Sequence, residues 1–143
     1  MPPLIPELYC TSLADSKIFY VGVLGFEILY ERPEEKFVML GREDAQLMLE
    51  ELSIGRKWIT APLEKPFGRG VNFQIQTADV DVLYRNVQNL AAQHPDIKIF
   101  LPMEEKWYRA DNHQVGNRQF IVQDPDGYFL RFFQDLGQRE YKL

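Results

Sequence analysis

Short runs that alternate apolar and polar residues recur along this chain, and two stretches break the alternation with helical spacing. Residues 7–10 (Glu7-Leu8-Tyr9-Cys10) read as a short strand. Ser12, Asp15 and Ser16 then offer caps for a helix of about ten residues that carries Ile18, Phe19 and Val23. Gly25 stands directly after Leu24, where a helix C-cap belongs. Strands are predicted over 26–30, 36–40 and 46–50, with turns at 32–35 and 41–44. Residues 53–70 have no clear period and hold two Pro, three Gly and Trp58, which marks a linker. The order then repeats. Residues 71–76 alternate, and 79–92 form an amphipathic helix with Val80, Leu83, Tyr84, Val87 and Leu90 on one side. Strands over 97–101, 118–122 and 129–133 follow, the last two joined by the tight-turn sequence Asp124-Pro125-Asp126-Gly127.

Two copies of β-α-β-β-β imply a duplication, here an α+β chain with modules at about 4–52 and 71–136 joined by 53–70. Literal identity between the copies is weak. Ala14-Asp15 and Tyr20 recur 64 residues on as Ala78-Asp79 and Tyr84, whereas lining up the strands favours 67.

Composition narrows the function classes. The 143 residues include 16 Lys plus Arg against 21 Asp plus Glu, a formal net charge of −5 that disfavours a nucleic-acid partner. Hydrophobic residues at 45% and charged residues at 26% argue against disorder. No apolar run approaches the ~20 residues of a membrane span, and the first residues lack a basic signal-peptide region. The single cysteine, Cys10, excludes an intramolecular disulfide and a Cys-rich zinc site. A cytoplasmic location without membrane association is the expectation. Neither a Ser-His-Asp or Cys-His set nor a phosphate-cradling Gly loop is apparent.

Element order, linker position and above all the run Val115-Gly116-Asn117-Arg118-Gln119-Phe120 through Asp124-Pro125-Asp126-Gly127 to Phe132 resemble the vicinal oxygen chelate superfamily of glyoxalases, extradiol dioxygenases and bleomycin-resistance proteins. Ser16 to Tyr20 and Leu24-Gly25-Phe26 are also familiar from it. The C-terminal run is similar to the antibiotic-resistance branch. The resemblance implies two βαβββ modules whose strands form a curled mixed sheet around an open cavity, with helices outside and a homodimer as the usual assembly.

The superfamily's enzymes hold a divalent metal at up to four strand positions. In the favoured register these fall on Ile5, Met48, Asn72 and Arg131, a set that does not suit a hard cation, so no metal or cofactor is expected. A register two residues on keeps the same strand face and offers Glu7, Glu50 and Gln74, with Phe133 as fourth, which leaves a metal-dependent lyase or dioxygenase as the alternative. His94 at a helix end and His113 in a polar loop add no clear ligand.

Strand parity sorts the remaining candidates. Leu8, Cys10, Leu47, Leu49, Phe73, Ile75, Leu130 and Phe132 share the face expected to meet the helices. Glu7, Tyr9, Met48, Glu50, Asn72, Gln74, Gln76, Arg131 and Phe133 share the other, which is either a plain solvated sheet face or a lining for a flat, hydrogen-bonding ligand. Glu7, Glu50, Glu104 and Glu105 would draw a cationic drug, and Tyr9, Trp58, Trp107 and Tyr108 would stack on its rings. The resemblance therefore implies a small-molecule binder that sequesters an antibiotic, possibilities extending to a bleomycin-type cation, without catalysis. A non-enzymatic dimer with a vestigial cavity is the third reading. Family members that bind such drugs carry Trp where this chain has Val115. Trp107, Tyr108 and Arg109, read as a loop entering the next strand, either replace that ring and cover the cavity or make a dimer contact. Asn117 and Arg118 either line the cavity or, for Arg118, pair with Asp124 or Asp126 to hold the turn.

Overall fold

Each half of the chain builds a four-stranded mixed sheet with one helical segment, so the βαβββ order predicted from the sequence is present twice. The structure is a computed structural model and describes residues 2–142. Two units separate by their internal contacts. One comprises the residues up to Arg69 together with Asp124–Tyr128, and the other comprises Gly70–Gln123 with the residues from Phe129 onward. Among the described residues no helix is long and apolar enough to cross a membrane.

In the first unit β1 (Glu7–Cys10) runs parallel to β4 (Ala45–Glu51), and β3 (Phe37–Arg42) and β2 (Glu27–Arg32) follow antiparallel in the order β1-β4-β3-β2. Leu8, Cys10, Leu47 and Leu49 are buried, as their parity predicts. The central strand β3 is a continuous apolar run, and Phe37, Val38, Met39 and Leu40 are all buried, so both of its faces are covered.

The first helix departs from expectation. Only Leu13–Lys17 is α-helical (α1), and Ile18–Val23 opens into a wider π-helical turn. Val21-Gly22-Val23 is a poor α-helix former, and the wide turn still places Phe19, Tyr20 and Val23 in the core. Ser12 caps α1 by accepting the Asp15 N–H at 3.2 Å. Glu51, at the end of β4, accepts the Leu13 N–H at 3.0 Å and the Lys36 ammonium at 2.8 Å, and the Ser53 hydroxyl donates to it as well. Those donors, Lys36 foremost, hold the Glu51 carboxyl down at about 2.

The Asp124–Tyr128 turn is the most heavily bonded segment of this unit. Asp124 Oδ1 accepts the N–H groups of Asp126, Gly127 and Tyr128, each at 2.9 Å, and Oδ2 accepts the fully buried Tyr20 hydroxyl at 2.8 Å. Asp126 receives the hydroxyl and N–H of Thr11 and an ion pair from Lys65 at 3.4 Å, while the Tyr128 hydroxyl donates to the Tyr9 carbonyl at 3.0 Å. Gly127 is required twice over. Its φ is +105°, and a Cβ there would lie 2.4 Å from Pro66 Cβ. Burial pushes the Asp124 carboxyl up to about 6, against donors that pull it down, so at neutral pH the ionised form receives the four bonds.

The second unit repeats the topology. β5 (Asn72–Gln76) runs parallel to β8 (Phe129–Glu140), followed antiparallel by β7 (His113–Gln123) and β6 (Lys98–Ala110) in the order β5-β8-β7-β6. Helix α2 (Val80–Ala91) is capped by Asp79, which accepts the Val82 N–H, and buries Val80, Leu83 and Val87, each contributing about 1.5–3 kcal/mol. The two capping residues, Ser12 and Asp79, stand 67 positions apart, in agreement with the strand-based repeat spacing.

The last three strands far outrun their predicted lengths. The reason is a second hairpin at Asp111-Asn112, where Ala110 pairs with His113 and Asp111 takes φ +58°. Pro102 sits inside β6 because β6 is an edge strand with irregular register between Leu101 and Glu104. Arg118 holds no turn. Its guanidinium Nε and a terminal nitrogen both donate to Asp81 Oδ1 of α2, at 2.9 and 2.8 Å, which corrects the expected pairing with Asp124 or Asp126.

Two stability predictions follow from the bonding of the first unit. Tyr20→Phe leaves one lone pair of the buried Asp124 unsatisfied and should cost about 1–3 kcal/mol in chemical denaturation. Glu51 has a folded pKa below its unfolded value, so its contribution is complete above pH ~4.5 and is lost as pH falls toward about 2. Because Lys36 is half exposed, that contribution is about 2 kcal/mol, and Glu51→Gln should remove it and flatten the pH dependence of unfolding across that window.

Candidate functional site

Both sheets have one face toward a helix and one free of it, and parity places most of the candidate residues on the helix-free faces. In the first unit Glu7 pairs with Met48 and Tyr9 with Glu50 across the parallel β1–β4 ladder, so the four side chains share one face. Phe37, opposite Glu50, and Met39, opposite Met48, extend that face, a contribution that sequence parity on a wholly apolar strand does not single out. Glu7 and Met48 are half-buried, whereas Tyr9 and Glu50 are 6% and 9% exposed. Burial raises the Glu50 carboxyl above the ordinary range, and the charge of Glu7 raises it further. Burial likewise raises the Tyr9 phenol, whose oxygen accepts the Trp58 N–H at 2.8 Å. Trp58 itself is exposed, with the Arg56 guanidinium 3.9 Å over its ring. The result is a desolvated acid beside a phenol, with Glu7 and Glu35 raising the acid further and Arg32 and Lys57 partly offsetting them.

In the second unit Asn72, Gln74 and Gln76 lie opposite Phe129, Arg131 and Phe133. Asn117 is buried on the same side as Gln119, its amide 3.5 Å from the Gln119 side-chain oxygen. Gln119, 2% exposed and not among the candidates from the sequence, donates its amide to both Glu104 Oε1 at 3.0 Å and the Tyr108 hydroxyl at 2.7 Å. Its position two residues before Ile121 on an alternating strand was the available signal.

The aromatic segment 107–109 is strand and not loop. Trp107 pairs with Gly116, Tyr108 with Val115 and Arg109 with Gln114. Neighbours on a strand face opposite ways, so Tyr108 joins Gln119 while Trp107 and Arg109 point to the other side. Trp107 lies flat on Gly116, where a Cβ would come within 2.7 Å of its ring, and the Arg139 guanidinium covers it at 4.1 Å. Arg109 approaches the Tyr141 ring at 5.8 Å. Trp107 and Tyr108 therefore cannot clamp one ligand together.

A cleft of about 480 Å³ opens on the first unit, lined by Glu27, Leu29, Gly41, Arg42, Glu43 and Gln46 among others. It contains none of the residues expected from the sequence.

The donors do not suit a divalent metal. The positions matched to the superfamily's ligands are an aliphatic side chain, a thioether, an amide and a guanidinium, and Arg131 places a permanent positive charge where a carboxylate would be needed. Among the described residues no three His, Cys, Asp or Glu side chains gather as a metal-binding group, His94 and His113 included. Cys10 is buried, and burial pushes its thiol up to about 12, so it stays protonated at neutral pH and is no nucleophile.

Comparison with known proteins places this geometry. Residues 5–132 match the family model described as the Glyoxalase/Bleomycin resistance protein/Dioxygenase superfamily. A superfamily member from Vibrio splendidus 12B01, known from its crystal structure, is 43% identical over 90% of this chain and 95% of its own, with a TM-score of 0.42. TioX from Micromonospora sp. ML1 is 19% identical over 93% and 98% of the two chains with a TM-score of 0.71, and shares the fold. A glyoxalase/bleomycin resistance protein/dioxygenase from Alicyclobacillus acidocaldarius, 19% identical over 93% and 90%, shares it with a TM-score of 0.59. No curated protein matches. The family match over residues 5–132, nearly the whole chain, shows that this chain belongs to the glyoxalase/bleomycin resistance protein/dioxygenase superfamily.

Proposed function

We propose that this chain sequesters a small cationic, aromatic molecule of the kind bleomycin-resistance proteins take up, and does so without turning it over. The observation that carries the reading is the pair Tyr9 and Glu50, register partners that are both buried on the helix-free face, with Glu50 held above its ordinary pKa beside Glu7. A guest cation would offset the cost of that desolvated acid, and the phenol offers a ring against which flat groups pack. Protection by a binder follows mass action, so the protein must match its ligand in concentration and hold it tightly.

A cation stabilises ionised Glu50, so binding should release a proton and affinity should rise with pH through the titration of that group. Isothermal titration calorimetry with metal-free bleomycin in EDTA should give a Kd at or below about 1 μM. Glu50→Gln, checked for folding by thermal melting, should weaken it about tenfold or more. No heat from a bleomycin-type glycopeptide at any pH between 5 and 8 would overturn the reading.

A further inference from the structure

Arg131 is a cation without a hydrogen-bond or ion-pair partner among the described residues. It lies on the central strand β8 of the second unit, on the helix-free face between Gln74 of β5 and Ile121 of β7. The residue is half-buried, and its Nε is buried with no acceptor among the described residues. Two acids that the strand register places on the same face, Glu104 and Asp135, are engaged elsewhere. Glu104 accepts the Gln119 amide at 3.0 Å, and Asp135 accepts the Gly137 N–H at 2.8 Å. A guanidinium keeps its charge at any working pH. A buried donor left unmade is costly, and a half-buried charge left unpaired is costlier.

The surroundings select the missing partner. Gln74 adds an amide beside the guanidinium, and Phe129 and Phe133 stand two residues either side of Arg131 on the same face. Ile121 closes the opposite flank. A planar fork of N–H donors among apolar walls suits a flat two-oxygen anion carried on an aromatic or aliphatic body better than a fully hydrated tetrahedral one.

We infer that Arg131, with Gln74 beside it, forms a subsite for the carboxylate of an apolar, flat organic acid. The inference rests on the reading of the helix-free faces as ligand surfaces and assigns the face of the second unit an anionic guest.

The experiment follows the Arg131 Nε–H resonance of the full-length ¹⁵N-labelled protein during titration with benzoate, with neutral benzamide and inorganic phosphate as controls. Benzoate should shift that resonance saturably, while benzamide and phosphate should bind at least about tenfold more weakly. Arg131→Lys keeps the charge but loses the fork and should weaken benzoate binding, read by ligand-observed saturation transfer, about tenfold. Arg131→Gln should abolish it and should leave the melting temperature unchanged or higher, because an unpaired cation has been removed. An unmoved Nε–H resonance, an equal response to benzamide, or full binding by Arg131→Lys would overturn the subsite. Benzoate binding without heat from the cationic glycopeptide would overturn the drug reading alone, and glycopeptide binding without a benzoate response would overturn the carboxylate subsite alone.

Discussion

Four hydrogen bonds to one buried carboxylate organise the first unit. Asp124 gathers three successive N–H groups on one oxygen and the Tyr20 hydroxyl on the other, so a turn distant in sequence becomes part of the packing around the opening strand and helix. Asp126 and Tyr128 add bonds to Thr11 and to the Tyr9 carbonyl. The backbone that carries Tyr9 is thereby tied at Tyr9 and again two residues on, at Thr11. A site built on β1 needs that rigidity, because a ligand-contacting phenol is useful only if its strand does not drift. The Asp-Pro-Asp-Gly sequence thus acts as more than a hairpin connector: Asp124 Oδ1 closes the turn, while Asp124 Oδ2 and the Asp126 carboxylate bind residues outside it.

The two helix-free faces carry different chemistry. Strand β1 and strand β4 bring acids and a phenol into partial burial, and strand β8 brings a guanidinium among amides and rings. Neither arrangement is a chelate. Catalysis by the metal-dependent members of this superfamily requires oxygen and imidazole donors converging on one ion. Met48, Asn72 and Arg131 stand at the positions that the resemblance matches to such donors, and the proposed role in recognition rests on that chemistry. Membership in the superfamily alone does not decide this, since one fold hosts many activities.

Much of the fold was legible in the sequence. Short strand-like runs, alternating or, for β3, continuously apolar and bounded by turn residues, located the strands, and Ser12, Asp79 and the Gly25 cap located the two helical segments. Strand ends were harder. The arm of β6, β7 and β8 beyond the core carries Lys106, Arg109, Gln114 and Arg139, whose polarity resembles loop composition although the backbone pairs throughout. The π-helical turn at Ile18–Val23 has an apolar pattern indistinguishable from an α-helix until its hydrogen bonds are seen. Among site residues, parity placed Glu7, Tyr9, Met48, Glu50 and Arg131 on their faces. It did not separate Trp107 from Tyr108, because reading that segment as a loop removed the very alternation that sends them apart. Nor did it find Gln119, whose role depends on two partners across the β6–β7 hairpin.

The account's central claim is that these faces receive a guest and do not grip a catalytic ion. Elemental analysis tests this most directly: the protein is incubated in turn with Zn²⁺, Ni²⁺, Mn²⁺ and anaerobic Fe²⁺, freed of loose ions by gel filtration, and quantified. The account predicts less than about 0.1 ion per chain for every metal. Close to one ion per chain, lost on Glu7→Gln or Glu50→Gln, would contradict it.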